Sequence, residues 1–180
     1  MYHKEMKLRN DVSLAIREAK SEDAPHTVDY LEHIAGETPY LAFGPGEWNR
    51  SVADEEKLIK DYLDSSNQIF LMAEIDSQVV GCLTFRAIDR PRIRHTGTLG
   101  LSVAKKYWGL GIGAYLVESL FEWAKMTGIV RKINLRVRTD NARAVALFKR
   151  LGFIEEGLIS REVFTSGRFY DCISMGMQID

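Results

Sequence analysis

From Trp108 to Ala114 the chain reads Trp-Gly-Leu-Gly-Ile-Gly-Ala, with glycine at 109, 111 and 113, between a short apolar run and an amphipathic helical pattern. At a helix start the first N–H groups lack an intrahelical acceptor, and the helix dipole adds partial positive charge. A phosphate oxygen fits that geometry. Glycine brings the backbone close to an anion with no Cβ in the way and permits φ > 0 where the loop curls. The chemical reading is a diphosphate cradle, and the bland alternative is a glycine-eased turn that allows close helix packing. Gly109-x-Gly111-x-x-Ala114 also matches a dinucleotide-binding fingerprint. Against that match, Ala104 to Trp108 separate the motif from the strand, and it arrives past mid-chain behind an antiparallel hairpin. No Lys-Ser or Lys-Thr follows the last glycine, as a P-loop requires.

The elements around the cluster follow from periodicity. Leu14 to Ala19 reads as a strand, and Ser21 as the cap of a helix running to about Glu37. Thr38 to Asn49 mixes Pro, Gly and aromatics without a period and reads as a loop of the kind that carries function. Ser51 and Asp54 form a capping box for a helix to about Asp64. Gln68 to Ile75 and Val79 to Arg86 make a hairpin across Asp76-Ser77-Gln78. Thr98 to Val103 is a strand. After the glycines, Ile112, Leu116, Leu120 and Ala124 with Val117 form the buried stripe of a helix ending near Lys125, with Gly128 as its stop. Lys132 to Arg138 alternates, with Ile133, Leu135 and Val137 inward and Asn134, Arg136 and Arg138 outward. A helix from Asn141 to Gly152 and a hairpin, Phe153 to Phe164 and Phe169 to Met177 across Thr165 to Arg168, complete the chain. The expected fold class is α/β: a mixed, largely antiparallel sheet with one parallel pair joined by a crossover and helices on both faces.

The 180 residues fit one domain, 1–180, with a core of its own. Lys plus Arg number 24 against 25 for Asp plus Glu, so no global field gathers nucleic acid or an anionic membrane. Cys82 and Cys172 lack zinc or redox spacing and read as buried thiols of a reducing cytoplasm. The N-terminal residues lack the apolar region of a signal peptide, and no apolar run spans a bilayer, so a cytoplasmic, soluble protein is expected. A homo-oligomer is left open.

The residues quoted for the glycine loop, together with Asn141-Ala-Arg-Ala-Val-Ala-Leu-Phe-Lys-Arg-Leu-Gly-Phe153, resemble the GNAT family of N-acetyltransferases. That family carries a Q/R-x-x-G-x-G/A loop after its fourth strand and a later N-x-x-A-x-x-L-Y-x-x-x-G-F segment. The two matches lie one helix and one strand apart, and the element order agrees. The resemblance implies an acetyl-CoA-dependent N-acetyltransferase whose strands ending at Val103 and starting at Lys132 splay around the pantetheine arm. Backbone groups near Leu101, Ser102 and Val103 would bond that arm, and one amide there would polarise the acetyl carbonyl. The amides of Gly109, Leu110, Gly111, Ile112, Gly113 and Ala114 would take the diphosphate, and Asn141 would cap its helix and contact the cofactor. Trp108 replaces the family's Gln or Arg, as in the branch similar to ribosomal-protein N-acetyltransferases, and reads as packing. Phe148 replaces a frequent Tyr that protonates the departing sulfur, which a phenyl ring cannot do.

Acetyl transfer needs a neutral amine, so its proton must go to a base or a water chain. Glu37 and Glu47, in and beside the irregular loop, and Glu74, in a strand, are candidate carboxylates, but each reads as a solvated or structural charge, and no catalytic residue is assigned. His95 reads as a loop end, and His26 and His33 as residues without chemistry. Lys105, Lys106, Arg143 and Lys149 flank the two motifs as ordinary surface charge. The expected reaction is direct attack of a primary amine, of a small molecule or a protein or peptide N-terminus, on acetyl-CoA in a ternary complex. The rival readings are a CoA-binding sensor with little catalysis and a nicotinamide-dependent oxidoreductase.

Overall fold

The computed structural model describes every residue except Asn10. In chain order the elements are β1 (His3–Lys7), β2 (Ser13–Glu18), α1 (Ala24–Ala35), α2 (Val52–Leu63), β3 (Ile69–Ile75), β4 (Gln78–Ala87), β5 (Thr96–Val103), α3 (Ile112–Thr127), β6 (Lys132–Arg138), α4 (Ala142–Arg150), β7 (Ile154–Thr165) and β8 (Arg168–Gln178). The strands form one sheet in the order β1-β2-β3-β4-β5-β6-β8-β7. Every neighbouring pair is antiparallel except β5 and β6. The mixed α/β fold expected from the pattern is the fold observed.

Alternation along β3 builds two layers from one apolar run. Leu71 and Ala73 join the core under α3, with Leu83, Leu116 and Leu120. Phe70 and Met72 join the core under α1 and α2, with Ile34, Ile59 and Cys82. A strand covered on both faces needs apolar side chains at successive positions, which is why Ile69 to Ala73 shows no polar alternation. The stripe expected on α3 is buried as a set: Ile112, Leu116, Val117, Leu120 and Ala124 are all at most 1% exposed. The Ser51 and Asp54 capping box is present, with Asp54 N–H donating to Ser51 Oγ and Ser51 N–H to Asp54 Oδ2, each at 3.1 Å. Asp76 and Ser77 take φ of 49° and 62°, the paired left-handed conformation that closes a tight hairpin.

Three expectations are corrected. β1 was not expected, because His-Lys-Glu-Met-Lys carries almost no apolar signal; it forms the sheet edge beside β2, where charged side chains remain in water. Ser21 does not cap α1. A short 3-10 turn, Ser21–Asp23, comes first, and Asp23 accepts from Lys20 N–H at 2.7 Å. Arg138 does not face solvent as strand alternation requires; it is 6% exposed. Cys82 and Cys172 are both buried free thiols, and among the described residues no helix is long and apolar enough to cross a membrane.

Candidate active site

β5 and β6 are paired over only three registers, Thr96 with Lys132 through Thr98 with Asn134. Beyond that point β5 pairs only with β4, and β6 only with β8. The vertex is fixed by Asn134, whose Nδ2 donates to Thr96 Oγ1 at 2.8 Å and to Gly97 O at 3.1 Å. Gly97 must be glycine there, since a Cβ would lie 2.3 Å from Arg86 O.

Ala104 N–H donates to Val80 O at 2.9 Å, and Ser102 lies opposite Cys82. Antiparallel bonding alternates, so Ser102 turns its backbone groups to β4, whereas Leu101 and Val103 turn theirs to the opening beside β6. Of the three residues expected to bond the arm, Leu101 and Val103 therefore present backbone groups to the opening and Ser102 does not. The Ser102 hydroxyl instead accepts from Tyr30 OH at 3.1 Å. Burial pushes the Tyr30 phenol well above its ordinary value, which keeps it a donor at neutral pH.

Gly109 and Gly111 have φ of 88° and 87°, and Gly111 is the N-cap of α3. The first acceptor of the helix ladder is Gly111 O, from Tyr115 N–H at 3.1 Å. Among the described residues, no amide from Gly109 to Ala114 donates a short, well-aligned backbone hydrogen bond. Gly113 plays a different part: a Cβ there would meet Leu147 of α4 at 3.4 Å and Leu101 at 3.6 Å. Two glycines thus shape the turn, while a Cβ at the third would make only ordinary van der Waals contact with α4 and β5. Trp108 does more than pack, because its Nε1 donates to Val103 O at 2.7 Å while the Arg143 guanidinium lies 4.8 Å from its ring centroid.

Asn141 caps α4 through Oδ1, which accepts from Ala144 N–H at 3.2 Å. Its Nδ2 has no acceptor among the described residues. Phe148 is 5% exposed and packs edge-on against Phe153 at 5.5 Å, so its position serves the core.

On the far side of the sheet from α3, a cleft of about 480 Å³ lies between the loop after α1 and the tip of the β7–β8 hairpin, lined by Glu37, Pro39, Phe43, Glu47, Val163 and Phe164 among others. The carboxylates considered from sequence are all engaged. Glu37 accepts from Lys105 N–H at 2.7 Å, Glu47 from Gly44 N–H at 2.7 Å, and Glu74 binds Arg17 at 2.5 Å and 3.0 Å. His95 ends its loop with a carbonyl that accepts from Arg131 and Lys132, while His26 and His33 are exposed. Lys105 and Lys106 precede the loop, exposed, and Lys149 pairs with Glu155.

A model of the acetyltransferase (GNAT) family matches residues 28–153. The crystal structure of an acetyltransferase of GNAT family from Streptococcus pneumoniae is 34% identical, covers 93% of this chain and 99% of its own, and superposes with a TM-score of 0.90. The L-amino acid N-acetyltransferase AaaT of Escherichia coli K12 is 32% identical over 105 residues, which span 58% of this chain and 65% of AaaT. At 20% identity and a TM-score of 0.81, yncA of Salmonella typhimurium, solved with its cofactor acetyl-CoA, shares the fold over 93% of this chain and 94% of its own. With a family model matching well over half of its length and a relative of known structure alike from end to end, this chain belongs to the acetyltransferase (GNAT) family.

Proposed function

We propose that this protein transfers the acetyl group of acetyl-CoA to a primary amine by direct attack in a ternary complex. The observation that carries the reading is the row of amides from Gly109 to Ala114, none donating a short, well-aligned backbone hydrogen bond, beside the opening between β5 and β6. In this reading those amides, with the N-terminal end of the α3 dipole, hold the diphosphate. The gap-facing groups of Leu101 and Val103 bond the pantetheine arm, apart from the Val103 carbonyl already taken by Trp108. An amide donor in this opening polarises the acetyl carbonyl as its oxygen gains charge. Asn141 adds its free Nδ2 on the α4 side.

The amine enters from the cleft of about 480 Å³, whose walls come from the irregular loop and the terminal hairpin. Direct attack needs the neutral amine, so its proton leaves before or during bond formation. Glu37, Glu47 and Glu74 already accept other donors, which favours loss of the proton to solvent in the open cleft over capture by one dedicated carboxylate. The tetrahedral adduct then expels the CoA thiolate.

Incubation with acetyl-CoA and a panel of spermidine, L-amino acids, aminoglycosides, small xenobiotic amines and peptides with free N-termini, read as thiol release and acetylated product, tests the reading. Transfer to at least one class is expected. Absence of CoA binding by calorimetry would overturn the reading, and binding of NADH in its place would favour an oxidoreductase. The buried phenyl ring of Phe148 supports a second reading, a CoA-binding sensor; tight CoA binding without single-turnover transfer to any amine would select it.

A further inference from the structure

Arg138, the last residue of β6, is almost wholly enclosed, and its contacts are unusual for a strand-end arginine. Its Nε and Nη2 donate to the two carboxylate oxygens of Asp140 at 3.0 Å and 2.7 Å, and its Nη1 donates to Pro39 O at 2.8 Å. The guanidinium lies 3.7 Å from the ring centroid of Tyr170 and 5.1 Å from that of Tyr40. Tyr40 OH donates in turn to Asp140 O at 3.4 Å. A buried guanidinium is tolerable only when its donors and charge are answered, and here a carboxylate fork, a carbonyl and two aromatic faces do so.

The partners of this one side chain belong to both walls of the cleft. Pro39 lines the loop wall. Tyr170 on β8 is the cross-strand partner of Val163, which lines the hairpin wall. The loop from 36 to 50 has no regular secondary structure and depends on side chains for its place. Glu37 ties its start to Lys105, and Leu41, Phe43 and Trp48 lean on the core under α1 and α2. The tie between the loop and β6 is Arg138, reinforced by Tyr40. The guanidinium itself does not line the cleft.

We propose that Arg138 is the positioning residue of the acceptor side: by clamping Pro39 and Tyr40 against β6 and Tyr170 it fixes the separation of the two cleft walls, and so sets acceptor affinity without touching the acceptor. The inference rests on the reading of the cleft as the acceptor site. Moving the loop away would give up the charge-assisted Nη1 bond to Pro39 and the contact with the Tyr40 ring, so the arginine itself favours the clamped loop. The Asp140 carboxyl is held below its ordinary range by the hydrogen bonds from Arg138, so the fork stays charged throughout the neutral range. Lysine cannot replace the arginine, since a point charge has neither the fork nor the stacking plane.

The test compares the wild type with Arg138→Gln, Arg138→Lys, Tyr40→Leu and Val163→Trp. One readout is amide hydrogen exchange over residues 36–48 without any ligand. The other is steady-state kinetics with acetyl-CoA and whichever of spermidine, an L-amino acid or a peptide with a free N-terminus is turned over fastest. Arg138→Gln should speed exchange in the loop and raise the acceptor KM by about tenfold or more, the scale of one lost charge-assisted hydrogen bond. The KM for acetyl-CoA and kcat should move far less. Arg138→Lys should not rescue, and Tyr40→Leu should shift both readouts the same way by less. If Arg138→Gln fails to fold, Tyr40→Leu carries the test. Unchanged loop exchange, or an unchanged acceptor KM while Val163→Trp raises it, overturns the clamp and leaves the cleft reading standing. If Val163→Trp leaves the acceptor KM unchanged, the cleft is not the acceptor site and the inference falls with it.

Discussion

Glu55 shows what a single buried charge does to this protein. Its side chain is 1% exposed, its carboxylate oxygens have no hydrogen-bond partner among the described residues, and the nearest cation, Arg50 Nη1, is 3.7 Å away. Burial raises its pKa, and Arg50 offsets that only in part. A carboxyl whose folded pKa lies above its unfolded one binds its proton more tightly when folded. Stability is therefore gained as pH falls through the folded pKa, and the charge is a cost at neutral pH. Glu55→Gln should raise the urea midpoint at pH 7, a stabilisation on the order of 1 kcal/mol, with the gain fading as pH approaches that of a free glutamate, about 4.3. A less stable variant at pH 7 would mean that the carboxylate has a partner. Phe148 makes the complementary point, because its ring is spent on packing. Phe148→Ala should cost about 3 to 5 kcal/mol and Phe148→Tyr should add little activity. With no protein acid, kcat should rise with pH as the amine deprotonates and then level off; an alkaline decline in a folded, CoA-binding enzyme would reveal an acid. Phe148 was legible as a packing residue from its helical stripe. Arg138 was not, because strand alternation assigns it to solvent and only the tertiary placement of Pro39, Tyr40 and Tyr170 encloses it.

At the scale of elements, the two motifs were legible because each couples a local rule to a backbone need. Asn141 and Gly152 bracket α4 as cap and stop, and Gly152 takes φ of 93°. The glycine cluster was legible as a turn at a helix start, but its division of labour was not. Gly109 and Gly111 supply positive φ, whereas Gly113 does not and lies beside Leu147, on an element thirty-odd residues away in sequence, with room for a Cβ. The phase of β5 was likewise hidden, since only its register with β4 decides that Leu101 and Val103, and not Ser102, face the opening. Asn141 separates cap from ligand. Asn141→Ala removes both side-chain groups and should cost about 0.5 to 2 kcal/mol together with CoA affinity. Asn141→Asp keeps the Ala144 cap and loses the donor, so it should recover the thermal midpoint and not the CoA affinity. Recovery of both would reduce Asn141 to a cap.

Over the whole molecule, periodicity announced nearly all of the helices and strands, and the hairpins and crossover announced a mixed sheet. Only β1 escaped, since an edge strand of charged residues has no inward-facing set to read. The proposed cofactor site is set at this scale by the early end of one pairing: β5 and β6 part after Thr98 and Asn134, and α3 starts soon after β5 ends. The most direct test is residue-resolved amide hydrogen exchange with and without acetyl-CoA. Protection should appear at the amides from Gly109 to Ala114 and at Leu101 and Val103, with little change along β1 and β2. Acetyl-CoA that binds while leaving the exchange of those amides unchanged would contradict the account.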